Sequence, residues 1–178
     1  MTRRVLAFAA SSSSKSINKK LVTYATGLLG DAQVEILDLN DFEMPLFSQD
    51  REDELGQPEL AQKFRQLIGD CDGLIISFAE HNGSYSAAYK NLYDWTSRID
   101  PKVYQGKPMV LLATSPGGRG GRSVLDLALS QIPRFGGDIR GSLSVPNFYD
   151  NFDSDAGRLS NAELDQELVS VVGSLFDE

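Results

Sequence analysis

Val5-Leu6-Ala7-Phe8-Ala9-Ala10-Ser11-Ser12-Ser13-Ser14-Lys15-Ser16-Ile17-Asn18 runs from six apolar residues through a hydroxyl-rich turn into a helical repeat. That order decides the fold. Met1-Thr2-Arg3-Arg4 ahead of the run mimics a secretory leader, but its six apolar residues fall short of the usual core of about 7 to 15 and match a buried strand instead. Ile17, Leu21, Tyr24 and Leu28 then recur at helical spacing. A strand without polar interruptions must be covered on both faces, and a helix that follows it directly is the start of a crossover unit.

Working outward, strand-length apolar runs return at Val34 to Leu39, Gly73 to Ala79 and Met109 to Ala113, giving four buried strands in all. Helical spacing fills the intervals at Leu60, Phe64, Leu67 and Ile68, at Tyr85, Ala88 and Leu92, and at Val124, Leu127, Ala128 and Ile132. Ile139 to Val145 alternates apolar with polar or small residues, as an edge strand wetted on one face does, and Leu164, Leu168, Val171 and Leu175 close the chain as a helix. Alternating strands and helices predict an α/β three-layer sandwich with a five-stranded parallel sheet. Its expected order is the flavodoxin-like 2-1-3-4-5. Residues 1–178 are expected to form one domain, since a chain of this length buries enough surface to need no staples. Asn40 to Pro58 and Pro146 to Ser160 read as long polar-aromatic connections, the kind that wall functional sites.

Seventeen Lys and Arg against 25 Asp and Glu give a net charge of −8, and the pI is near 4.7. That field repels nucleic acid and anionic membrane surfaces, so neither is an expected partner. No stretch approaches the roughly 18 apolar residues of a membrane span, and a soluble, cytoplasmic protein is expected. Cys71, the single cysteine, excludes an internal disulfide and any multi-cysteine metal site; no metal is expected.

In such sheets ligands collect outside the carboxyl ends of the strands. After the first strand, the serines, Lys15 and the unpaired N–H groups opening the helix make an anion site, though serines also serve simply as caps. A Walker loop would need glycines at Ala9 and Ser14, and a dinucleotide fingerprint needs three glycines where there are none. After the third strand comes Ala79-Glu80-His81-Asn82-Gly83-Ser84, and after the fourth Ser115-Pro116-Gly117-Gly118-Arg119-Gly120-Gly121. Glycines there allow backbone N–H groups to approach a flat ligand closely.

Taken together, the three loops over residues 3 to 135 resemble the NADPH-dependent FMN reductase family, which includes quinone, chromate and azo-dye reductases. Ser11, Ser16 and Asn18 match its first motif, while Ala10 and Ser13 stand where the family has Gly and Arg, leaving Lys15 as the loop's cation. Glu80, Asn82, Gly83, Ser84, Lys90, Asn91, Asp94 and Trp95 match the second, from which Ala79 and His81 depart. Ser115, Gly117, Gly118, Gly120 and Gly121 match the third, and in the long loop after the second strand Met44-Pro45-Leu46-Phe47 resembles the family's segment at that place. The resemblance implies FMN with its phosphate on Ser11, Ser13, Lys15, Ser16, Ile17 and Asn18. It further implies the ring against Ala79, Glu80, His81, Asn82 and Gly83, with Ser115, Gly117 and Gly118 at the pyrimidine edge. NADPH or NADH is the implied co-substrate, and small electron acceptors (quinones, free flavin, metal oxyanions, azo compounds) are served by a ping-pong route. No catalytic side chain is expected, because the flavin carries the hydride chemistry. The alternative is a flavodoxin-type electron carrier without NAD(P)H turnover, favoured by the acidic charge.

His81 stands where the family has Tyr and is a candidate to stack near the flavin, or else an ordinary loop residue. Cys71 reads as a small buried hydrophobe. Arg119 and Arg122 are read as solvated charge before a 2′-phosphate contact, and Asp50, Glu52, Asp53 and Glu54 as a solvated loop. The aromatic excess on a helix from Tyr85 to Ile99, with Tyr89, Tyr93, Trp95 and Phe135, is read as a subunit interface of a homodimer or homotetramer.

Overall fold

The computed structural model describes residues 2–177. Five parallel strands, β1 (Arg4–Ala10), β2 (Gln33–Leu37), β3 (Gly73–Phe78), β4 (Pro108–Thr114) and β5 (Asp138–Val145), pair in the order 2-1-3-4-5. The helices are α1 (Ile17–Gly27), α2 (Gln49–Leu55), α3 (Glu59–Asp70), α4 (Ala87–Ile99), α5 (Arg122–Gln131), α6 (Phe148–Asn151) and α7 (Ala162–Gly173).

Strand alternation sorts the core into two halves. Leu6, Phe8, Leu74, Ile76, Met109 and Leu111 face α3, α4 and α5 on one side. Val5, Ala7, Ile75, Val110 and Leu112 face α1 and α7 on the other, which makes the three layers. β1, β3 and β4 are buried almost throughout because they are central and covered twice.

Several sequence expectations are corrected. β2 is not a buried strand: Glu35 and Ile36 are exposed, since an edge strand pairs only with β1. The α4 helix begins at Ala87 rather than Tyr85, because Ser86 takes the N-cap and its Oγ accepts from the Tyr89 N–H at 3.3 Å. Neither long connection is featureless. Residues 40–58 contain most of a 3₁₀ turn at Leu39–Phe42 and α2, so the acidic run 50–54 is helical, and Glu52 meets Arg98 at 2.8 Å. Residues 146–160 fold into α6 and a two-stranded ribbon, β6 (Phe152–Asp153) with β7 (Arg158–Leu159). Cys71 is buried as expected, and desolvation pushes its thiol pKa up. No helix among the described residues is long and apolar enough to cross a membrane.

The aromatic excess on α4 is largely absorbed internally. Tyr89 and Trp95 are core residues; the Trp95 Nε1–H donates to the Pro45 carbonyl at 2.7 Å. Asn91 clamps the same strap, accepting from the Phe47 N–H at 2.8 Å and donating to Met44 O at 3.2 Å. Tyr85, Tyr93 and Phe135 remain half-buried around a cavity of about 290 Å³.

Candidate functional site

The loop joining β1 to α1 is ordered by its own hydroxyls. Ser11 Oγ accepts from the Ser13 N–H at 3.1 Å, Ser13 Oγ from the Lys15 N–H at 3.3 Å, and Ser16 Oγ from the Lys19 N–H at 3.2 Å. Each hydroxyl thus fixes the backbone while keeping its own proton to donate. Among the described residues no protein acceptor meets the Ile17 and Asn18 N–H groups, the first donors of an 11-residue helix. Lys15 Nζ forms no ion pair among the described residues. Three O–H donors, two helix N–H groups and one ammonium therefore converge, the donor set a phosphate monoester needs.

A cavity of about 240 Å³ opens onto this loop and takes in nine of the residues singled out from sequence: Ser11, Ser13, Lys15, Ser16, Ile17, Asn18, Ala79, Glu80 and Ser115. His81, Asn82, Gly83, Gly117 and Gly118 continue the same loops outward, exposed and beyond the lining. Thr114, Pro116 and Tyr149 complete the wall and had not been singled out. Tyr149 is 68% exposed, and the only hint of it was the polar-aromatic character of the segment after β5.

Two of the nine turn their polar atoms inward. Asn18 is only 3% exposed; its Nδ2 donates to Thr114 O at 3.2 Å, and its Oδ1 accepts from Thr114 N–H at 3.1 Å and from Ser77 Oγ–H at 2.7 Å. It ties α1 to the ends of β3 and β4, so its buried side chain works on the fold, while its backbone N–H stays unpaired at the start of α1 among the described residues. Ser77 was missed because it sits inside an apolar run. Glu80 Oε1 accepts from the Val124 N–H at 2.8 Å, occupying the N-terminus of α5 and denying that helix start to another anion.

The outer residues divide in the same way. Asn82 (φ 52°) and Gly83 (φ 76°) are consecutive left-handed residues in a tight turn closed by His81 N–H to Ser84 O at 2.9 Å, which is what Asn-Gly is suited to. A Cβ on Gly117 would meet nothing within 4 Å, and one on Gly118 only Asn147 Oδ1 at 3.9 Å. The chain's own packing does not demand glycine at either position; the space they leave is open to a ligand. Arg119 donates to Ser123 Oγ at 2.8 Å and Arg122 lies 3.4 Å from Asp126, both at the surface as read from sequence.

Residues 3–147 match the NADPH-dependent FMN reductase family. Among curated proteins, a 2-hydroxy-1,4-benzoquinone reductase of a Burkholderia species is 37% identical over 107 residues, 59% of this chain and 56% of that one. An NADPH:quinone oxidoreductase of Arabidopsis thaliana is 29% identical over 181 residues, 94% of this chain and 89% of the relative. Among solved structures, the flavoenzyme NAD(P)H:(acceptor) oxidoreductase FerB from Paracoccus denitrificans shares the fold at a TM-score of 0.77. That comparison covers 98% of this chain and 95% of FerB, at 23% identity. The family match takes in all five sheet strands and the three loops at their carboxyl ends, and the chain belongs to the NADPH-dependent FMN reductase family.

Proposed function

We propose that the protein is an NAD(P)H-dependent oxidoreductase that holds FMN at the strand ends and passes electrons to small acceptors. The reading rests on the donor set of the 11–18 loop, which suits a dianionic phosphate and has no counter-anion of its own. Bound there, FMN would supply hydride acceptance at N5 and electron delivery to an acceptor. Ser11, Ser13, Lys15 and Ser16 would hold the phosphate. The 79–83 backbone would flank the ring, and Ser115, Gly117 and Gly118 would offer backbone N–H groups to its pyrimidine edge, where they favour negative charge. Asn18 and Glu80 are positioning residues: one fixes α1 against β4, the other α5 against the 79–83 loop. No side chain of the cavity is arranged as a nucleophile and base, which supports a route in which the cofactor carries the reaction.

The acceptors proposed are quinones, free flavin, metal oxyanions and azo compounds, reached by a ping-pong cycle in which NAD(P)⁺ leaves before the acceptor enters. The half-buried Tyr85, Tyr93 and Phe135 support a homodimer or homotetramer, read by light scattering at micromolar protein. The net charge of −8 favours a second reading, an electron carrier that docks basic partners. One experiment separates them. The purified protein should show flavin absorbance and oxidise NAD(P)H with benzoquinone in steady state, with parallel double-reciprocal lines. Flavin absorbance without NAD(P)H oxidation supports the carrier, and intersecting lines remove the ping-pong order.

A further inference from the structure

The chain leaves β5 beside the strand-end cavity and is fastened there at once. Asn147, at φ 46°, turns it back in a left-handed conformation that asparagine tolerates better than most residues. Its N–H donates to Gly117 O at 2.9 Å, and the Phe148 N–H donates to Ser115 O at 3.1 Å, so α6 hangs from the glycine loop by two main-chain bonds. The other face of α6 is packed. Phe148 is fully buried with its ring 4.7 Å from that of Phe152 and nearly parallel to it, and Asn151 closes the far end by donating from Nδ2 to Pro146 O at 2.8 Å and accepting from the Ser160 N–H at 2.8 Å.

Tyr149 takes no part in this anchoring. Its ring meets Phe148 edge to face at 5.5 Å and otherwise stands 68% exposed. The tyrosine hydroxyls that find a protein partner among the described residues are those of Tyr24, Tyr85, Tyr89 and Tyr104, not its own. Yet Tyr149 shares the cavity wall with Ser115, Pro116 and the 11–18 loop. A firm scaffold thus holds a large aromatic ring in water at the edge of a space whose donors suit a phosphate, where a bound ligand would give the ring the apolar contact that the fold does not.

We infer that Tyr149 is the cover of the FMN cavity, a cofactor-binding residue whose ring closes over FMN once the phosphate is seated on the 11–18 loop and so slows its release. The inference rests on the reductase reading and goes beyond it. Residue 149 lies past the 3–147 span that matches the family, and the cover is a device of this chain's own segment after β5.

Nitration with tetranitromethane in the dark, read by peptide mass spectrometry on the 178-residue chain, reports the cover directly. The other five tyrosines are buried or half-buried and burial raises each of their phenol pKa values, so in the flavin-free protein the reagent should mark Tyr149 first. FMN at about ten times its Kd should slow that nitration roughly tenfold, because a covered phenol reacts only in the fraction of protein that is empty. Stopped-flow release gives the second readout. Tyr149→Ala should release FMN about tenfold faster than the parent, the factor that one lost ring contact corresponds to, while Tyr149→Phe should stay within about threefold. FMN that binds without slowing nitration, or parent-like release from Tyr149→Ala, overturns the cover alone. A parent protein that binds no FMN in a flavin titration defeats the reductase reading, and the cover with it.

Discussion

The loop after β1 and the loop after β4 face the same cavity but divide their work differently. In the first, one residue often does two jobs: the hydroxyls of Ser11, Ser13 and Ser16 hold the backbone through their lone pairs and keep their protons for a ligand. In the second, the jobs are split between neighbours of the same type. Gly117 and Gly118 border open space, whereas Gly120 (φ 58°) and Gly121 (φ 72°) are packed, with a Cβ on Gly120 falling 2.9 Å from Pro146 N and Val145 C. A motif match therefore marks a place, and only the local packing says whether the residue there serves the fold or the ligand.

The sharpest break of that comparison is Gly120→Val against Gly117→Ala. Valine at position 120 meets backbone atoms and a left-handed φ that a β-branched residue resists, so about 3 kcal/mol or more of stability should be lost, roughly 6 to 12 °C in Tm for a chain of this size. Gly117→Ala should leave Tm within about 2 °C while lowering flavin occupancy, since its cost falls on the ligand. Equal Tm losses in the two variants would show that the glycine loop is a single structural unit.

Asn18→Ala and Ser16→Asp make the corresponding pair on the first loop. Removing Asn18 strands the Thr114 N–H, the Thr114 carbonyl and the Ser77 hydroxyl in the interior, an expected loss of about 2 to 3 kcal/mol by chemical denaturation. Ser16→Asp keeps a good helix cap, so the fold should hold. Its carboxylate would face the proposed phosphate position, and FMN affinity should fall at least about tenfold. FMN affinity within about twofold of the parent would remove the phosphate assignment.

These pairs also show what could be read in the sequence. The strand order was legible because periodicity depends on local pattern, and nine cavity residues were legible from strand-end position together with the resemblance to the family's motifs. β2 was misjudged because its apolar run was read as buried, although the expected order 2-1-3-4-5 already left it at an edge with a single neighbour. Ser77 and Tyr149 were missed for opposite reasons: one is a polar residue inside an apolar strand, the other an exposed aromatic brought to the cavity by α6, a four-residue helix too short for any period. Asn18 lines the cavity as read from its motif, but the motif did not show that Thr114, 96 residues away, takes up its side chain and leaves the backbone N–H as the group open to the cavity.

Neither loop sets the alkaline limit of the fold; the tyrosines do. Burial pushes the Tyr85 phenol to about 12, burial and then Asp165 raise Tyr24 to about 12, and burial drives Tyr89 and Tyr104 upward as well. A raised folded pKa contributes stability that is complete below the ordinary phenol value near 10 and is lost as pH climbs through the folded one. Stability should therefore be level from about pH 7 to 8, decline slightly above that as the unfolded Cys71 thiol ionises, and fall more steeply above 10, by about 1 kcal/mol per buried tyrosine at pH 11. Tyr89→Phe should flatten that fall. An identical slope in the variant would assign the alkaline loss to other groups.

The smallest effect is expected at His81, and it sharpens the contrast between backbone and side-chain work within one loop. The main chain of His81 is engaged on both sides, its N–H donating to Ser84 O at 2.9 Å and its carbonyl accepting from the Ser84 N–H at 3.1 Å. Its imidazole is exposed, makes no hydrogen bond among the described residues and lies outside the cavity lining. What position 81 contributes is thus the turn that presents Ala79 and Glu80, and phenylalanine can make the same backbone contacts. In His81→Phe, kcat with NADPH and a quinone should stay within about threefold of the parent, since hydride transfer to a flavin needs no proton from a side chain at this position. A loss of about a hundredfold with FMN occupancy intact would mean that the imidazole itself takes part in turnover, and the division of labour drawn for this loop would fail.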